Sequence, residues 1–222
     1  LGGYHGAKLR RYQDFYTQCV EGQRDALIKG IQSGEMDLSD YSAINMLNAK
    51  YLTFGPDKNQ FITNDKALGN AWLVSNVELV NNPDEELAET CQINPSLTAV
   101  VDQSKFKLKT INFSQLGSIK VKEYGLNHII YEADIKGEAM AIFSEIYYPK
   151  GWVATIDGKE SEILRANFIL RALEIPAGKH TIVFEFKPVA FTVGNKITFA
   201  SCLVLLLLVL GSVGYSVKKS MS

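Results

Sequence analysis

Histidine, cysteine and excess positive charge are all in short supply in this 222-residue chain. The three histidines, His5, His128 and His180, lie far apart, and no Cys/His spacing suits zinc. Basic and acidic residues number 23 and 24, and setting Lys218 and Lys219 aside leaves −3 on the remainder. That is not the basic footprint of a nucleic-acid binder, so that class is excluded. No G-x-S-x-G, phosphate loop or dinucleotide fingerprint appears, and Gly2-Gly3 with Gly6 has no strand before it. No basic-then-apolar leader opens the chain, which begins at Leu1 without an initiator Met. The expectation is a fragment or processed product whose targeting signal lies upstream.

The three cysteines are Cys19, Cys91 and Cys202, the last inside an apolar run. Cys19 and Cys91 could form a disulfide in an oxidising compartment, but buried or free thiols are the preferred reading. Lone cysteines behave as small hydrophobes, and spacing alone does not bring two of them together.

What the chain does have is one long charge-free segment. Residues 197–217 read ITFASCLVLLLLVLGSVGYSV. At 1.5 Å per residue, 21 residues make roughly 30 Å of helix, the thickness of a bilayer core. The leucine run has no polar face, and a chain this short cannot wrap such a helix on all sides. Thr198, Ser201 and Ser212 can bond back to helix carbonyls. Lys218 and Lys219 follow the run and Lys196 precedes it, a slight bias toward a cytoplasmic C-terminus.

Before that run the texture changes once. Leu9, Tyr12, Tyr16, Cys19 and Val20 recur at helical spacing, and Gly22, Gly30 and Gly34 break or bend the pattern. Ser39 or Asp40 can cap a second helix, which carries Ile44 and Leu47 inward. Residues 50–54 and 71–80 read as strands. Asn82-Pro83-Asp84-Glu85-Glu86 reads as a capped helix start, with the acids placed for the helix dipole and not for a metal. From about residue 116 short alternating strands follow closely, with Asp157-Gly158 marking a tight hairpin. The fold class is therefore α+β: a helical and mixed portion at 1–115 and an antiparallel β-sandwich at 116–190. A transmembrane helix at 195–217 and a short basic tail at 218–222 complete it.

The wording of several stretches adds to the pattern. GGYHGAKLRRY at 2–12, NMLNAKY at 45–51, ALGNAW at 67–72, FSEIYYPKGW at 143–152 and RANFILRALEIPAGKH at 165–180 stand in that order. Together they resemble the YfhO family of bacterial membrane proteins. The resemblance implies that many spans precede Leu1 and that residues 1–196 lie on the extracytoplasmic face of the cytoplasmic membrane. It also implies similarity to polytopic glycosyltransferases that draw a sugar from a polyprenyl-phosphate carrier to decorate envelope polymers or glycolipids. In such enzymes the catalytic acid sits in an early loop between spans, so this chain is not expected to act alone, and no cofactor is expected in it. The implied partners are membrane lipid, the remaining transmembrane region, a polyprenyl-phosphate sugar and an envelope glycan. A non-catalytic glycan- or protein-binding scaffold is the alternative.

The candidate binding residues fall in three groups. Lys8 and Arg11 share a helix face that can cradle a lipid phosphate; Tyr4 joins it if the helix extends back through Gly6, and His5 is counted with them. The plainer alternative is solvated charge, with Arg10 paired to Asp14. Trp152 with Tyr147 and Tyr148 offers a stacking platform for a sugar, although Ala154 and Ile156 on the same strand face favour a core tryptophan. Arg165, Asn167 and Arg171 share one strand parity if the strand is unbroken, which gathers donors on one side.

Overall fold

The computed structural model describes residues 9–221. Helix α1 (Arg10–Phe15) runs through one π-helical turn, Tyr16–Val20, into α2 (Glu21–Ser33). The expected stripe is realised in part, with one addition: Phe15, Cys19 and Val20 are buried and Tyr12 and Tyr16 pack partly against them, while Leu9 precedes the helix and is exposed. Gly34 ends α2 in the left-handed region, φ +75°, where a Cβ would be strained. A short 3₁₀ turn, Leu38–Asp40, is capped by Asp37, whose carboxylate accepts from the Ser39 N–H. Helix α3 (Ser42–Met46) then starts without a cap of its own. Gln23 of α2 substitutes for one, accepting from Ala43 N–H at 2.9 Å. Ser39 and Asp40 are thus not the cap; a neighbouring helix supplies it.

Strands β1 (Tyr51–Thr53) and β2 (Phe61–Thr63) form a small hairpin. The single strand expected at 71–80 is two, β3 (Ala71–Val74) and β4 (Asn76–Val80), which join different sheets. Helix α4 (Pro83–Thr90) carries the chain from β4 to the parallel β5 (Thr98–Asp102). Its start is as the sequence predicts. Asn82 Oδ1 accepts from Asp84 and Glu85 N–H, and Glu85 reaches back to the Asn81 N–H at 2.9 Å. Cys19 and Cys91 are joined as a disulfide, with Cα atoms 5.1 Å apart. The thiol expectation is corrected: tertiary packing brings the π-turn against the end of α4, across 72 residues of sequence.

Eight antiparallel strands follow: β6 (Gly117–Tyr124), β7 (His128–Ile135), β8 (Ala139–Ile146), β9 (Trp152–Ile156), β10 (Lys159–Ser161), β11 (Leu164–Ala166), β12 (Leu170–Ile175) and β13 (Gly178–Phe186). They form a five-stranded sheet, β10-β9-β13-β7-β6, and a four-stranded sheet, β11-β12-β8-β3, the latter completed by β3 from the first part of the chain. Alternate residues meet between the sheets, where Tyr131, Phe143 and Phe184 pack edge to face with centroids 4.9–6.1 Å apart. Each such ring contributes roughly 1.5–3 kcal/mol by burial. The other face of the four-stranded sheet is also covered. Trp72, Met140, Ile142 and Leu170 pack there against Phe15, Val20, Leu87 and Val101. Burial on both faces explains why residues 139–143, AMAIF, show no polar alternation.

The Asp157-Gly158 hairpin lies at one end of the sandwich, with both residues at positive φ. Asp157 accepts from Thr181 N–H at 2.8 Å and pairs with His180 Nδ1 at 2.7 Å. The His180 contact, then the Thr181 bond, hold the Asp157 carboxyl below the usual range. A lowered folded-state pKa means that its stabilisation is present above the unfolded value and is lost as pH falls through the folded one. An acid titration followed at the Thr181 amide by NMR is expected to turn below the ordinary aspartate value of about 3.9. A midpoint at or above that value refutes the arrangement.

At the opposite, proximal end the chain departs for α5 (Val189–Ser220). Phe186 N–H bonds Asn127 O and Lys187 N–H bonds Gly151 O, so the β6–β7 turn and the β8–β9 loop flank the exit. Helix α5 has 32 residues; its most apolar 18-residue window has a mean hydropathy of 2.4, and none of that window is buried within the chain. It starts eight residues before the charge-free run. Ser201 Oγ donates to Ile197 O, so its hydroxyl is satisfied within the helix, as expected. Among the described residues this is the one helix long and apolar enough to cross a membrane.

Candidate functional site

The proximal end gathers most of the singled-out residues that the structure describes; Tyr4, His5 and Lys8 lie outside the described residues. Arg11, on the first turn of α1, turns inward. Its Nε donates to Phe168 O at 3.0 Å, its guanidinium lies 3.8 Å over the Phe168 ring, and its Nη2 contacts Glu86 Oε2. Arg165 of β11 meets the same carboxylate, with Nε 3.2 Å from Oε1 and Nη2 2.9 Å from Oε2. It also lies 3.6 Å from Asp102 Oδ2 at the end of β5. Glu86 and Asp102 are fully buried. Two cations and two anions cancel, which is the condition under which such charges tolerate burial. Burial lowers the Arg11 pKa first; Glu86 opposes that shift and Arg165 adds to it.

Arg165, Asn167 and Arg171 do not sit on one unbroken strand. The chain reverses between β11 and β12, with Asn167 and Phe168 both at positive φ, 48° and 65°. Asn167 is buried and exchanges two 2.9 Å bonds with the Val100 backbone, pinning this turn to β5. Arg165 and Arg171 remain cross-strand partners, but their guanidinium groups part. Arg171 enters the sandwich, donating to Ile146 O at 3.2 Å and lying 4.0 Å over the Trp152 ring. Trp152 shares its inward face with Ala154 and Ile156, the core placement that the alternation predicts, and stays half-buried.

Two cavities open here. One of about 280 Å³ lies between the start of α1 and the loops after β8 and β11, lined by Leu9, Arg10, Tyr12, Tyr148, Pro149 and Phe168 among others. Its lining is mostly apolar, with Arg10 exposed at the rim and 4.0 Å from Asp14, the expected pairing. A second, of about 230 Å³, brings Tyr147, Tyr148 and Trp152 together with Phe106. The aromatic group predicted from sequence is therefore assembled around one opening.

Residues 48–198 match the family described as bacterial membrane protein YfhO. The chain belongs to this family. No curated protein and no solved structure matches it. The matched span of this YfhO chain includes Glu86, Asp102, Arg165 and the β11–β12 turn, and runs into α5; α1 with Arg11 precedes it. Membrane location follows from the family together with α5.

Sequence reasoning missed Glu86 and Asp102 in this YfhO chain. Glu86 passed as one more dipole-facing acid in the first turn of α4. The signal was its phase: Glu86 shares the inward face with Leu87 and Thr90, and all three are buried. Among the described residues no group of three or more His, Cys, Asp or Glu is placed to hold a metal.

Proposed function

We propose that this YfhO chain is the extracytoplasmic C-terminal domain of a polytopic, glycosyltransferase-like membrane protein. In this reading the whole protein uses a polyprenyl-phosphate-linked sugar to modify envelope polymers or glycolipids. This domain holds donor or acceptor, and the bond-making groups belong to the preceding transmembrane region. The observation that carries the reading is the 280 Å³ cavity at the end from which α5 departs. Its apolar wall suits an isoprenoid, and Arg10 at its rim suits a phosphate at headgroup level. A disulfide between Cys19 and Cys91 supports an oxidising, extracytoplasmic setting. Lys218 and Lys219 in the last turn of α5 support a cytoplasmic C-terminus.

Arg11 serves this site by position: held on Glu86, it fixes α1 against the Phe168 turn and thereby shapes the cavity. The test compares envelope glycolipids and polymers by mass spectrometry in three strains. These carry the full-length protein, no protein, or a full-length Arg10→Ala/Tyr148→Ala variant that spares the buried charges. The expected result is one sugar substituent lost without the protein and reduced several-fold in the variant. Identical profiles in all three strains sink the transferase reading and leave a non-catalytic scaffold that binds glycan or protein at the cell surface.

A further inference from the structure

The sandwich is filled with apolar side chains along most of its length, but its proximal mouth is not. Tyr124 of β6, Glu145 of β8 and Trp152 of β9 line a third cavity of about 340 Å³, with Ile129 at its floor and Leu126 at its rim. Glu145 accepts from the Tyr124 hydroxyl at 2.6 Å. Behind the Trp152 wall lies Arg171, only 4% exposed. Among the described residues its Nη1 has no hydrogen-bond partner, and neither does the hydroxyl of fully buried Tyr131. Burial and then the Glu145 contact push the Tyr124 hydroxyl up to about 12, and burial lowers Arg171 despite the charge of Glu145. A leucine or methionine at 171 would fill a sandwich core without the desolvation that an arginine brings. Arg171 therefore backs the Trp152 ring from the core side, while the cavity itself offers the Glu145 carboxylate between two aromatic rings.

We infer that the proximal mouth of the sandwich binds a neutral, hydroxyl-rich sugar ring, with Glu145, oriented by the Tyr124 hydroxyl, accepting from ring hydroxyls, and Trp152 and Tyr124 forming the aromatic wall. The charges of Arg171 and Glu145 offset each other, so a neutral polyol suits the mouth better than a phosphate, which would face the Glu145 carboxylate. The volume lies at the small end of ligand pockets, as a single ring with an outward linkage requires. Leu126, 97% exposed on the β6–β7 turn, adds an apolar edge to the rim. This site is distinct from the cavity beside Arg10, and rests on the proposed function only for the origin of the sugar.

The test uses the full chain in nanodiscs. It has two tryptophans, and Trp72 is buried with its indole N–H bonded to Pro95 O, so saccharide quenching reports on Trp152. Methyl glucoside, methyl galactoside and methyl N-acetylglucosaminide are titrated, with inorganic phosphate as the anionic control. A short-chain isoprenyl-phosphate sugar forms a further arm. Saturable quenching by at least one glycoside is expected, weakened about tenfold in both Glu145→Gln and Tyr124→Phe. These variants are chosen because an Arg171 variant disturbs the core, and their unchanged circular dichroism and melting establish that the fold is kept. Tighter binding of the isoprenyl-linked sugar assigns the mouth to the donor, and equal binding assigns it to a glycan; either supports the site. No saturable quenching by any sugar, phosphate binding that matches the sugars, or unaltered affinity in both variants overturns it. Loss of the envelope phenotype without the protein alongside failed glycoside binding removes this site and leaves the proposed function standing. Binding with an unchanged envelope does the reverse.

Discussion

Replacing Glu86 with Gln is expected to destabilise the domain by about 3–5 kcal/mol, the usual effect of removing one partner from a buried charge group. The reason is arithmetic of charge in a dry place. Arg165 stays buried beside one anion, Asp102, and Arg11 loses the carboxylate that holds α1 in position. Arg11 is about one-third exposed and can rehydrate, so most of the penalty falls on Arg165. For a domain of this size the loss corresponds to a melting point roughly 10 °C lower. Glu85→Gln serves as the control: Glu85 is exposed, its contact is to the Asn81 backbone, and a change below about 1 kcal/mol is expected. A Glu86→Leu/Asp102→Asn/Arg165→Met triple variant is expected to regain much of the loss, because it removes the charge that Glu86→Gln strands without leaving Asp102 ionised, buried and unpaired. Equal melting of Glu86→Gln and the parent chain would refute the buried quartet.

Breaking the Cys19–Cys91 bridge is the second large effect. The closed loop spans 72 residues, for which chain entropy assigns about 4 kcal/mol of stabilisation through the unfolded state. A Cys19→Ala/Cys91→Ala chain is expected to melt well below the parent, and a reducing agent should lower the parent to nearly the same point. Thiol labelling of the unfolded chain under non-reducing conditions is the direct check. One reactive cysteine, Cys202, is expected before reduction and three afterwards. Three before reduction would remove the bridge and, with it, one support for an extracytoplasmic setting.

The two effects act on one junction. The bridge ties the π-turn after α1 to the end of α4, and the Arg11–Glu86 contact ties α1 to the beginning of the same helix. Helix α4 is thereby fastened at both ends to the segment that forms one wall of the 280 Å³ cavity. Loss of either fastening is therefore expected to loosen that wall before the sandwich itself, whose core lies between its own sheets.

Several features were legible because they depend on nearest neighbours. The Asn82 cap with Pro83 behind it and the Asp157-Gly158 hairpin are each decided within a few residues. The break at Ser75 was not legible, since residues 71–80 alternate well enough for one strand, and only the separate sheets of β3 and β4 end it. The shared parity of Arg165, Asn167 and Arg171 misled for a similar reason. Two left-handed residues, neither a glycine, reverse the chain between them.

By itself the sequence determined an α+β domain ending in a membrane helix, because hydrophobic period, turn chemistry and an unbroken apolar run are local quantities. Family wording placed the chain among YfhO proteins, and the matched residues 48–198 bear that out. Only the tertiary structure decided which charges are buried, which cysteines meet and which face of the sandwich mouth stays polar. Burial and charge pairing are properties of neighbours in space, and Arg11 finds its carboxylate 75 residues away.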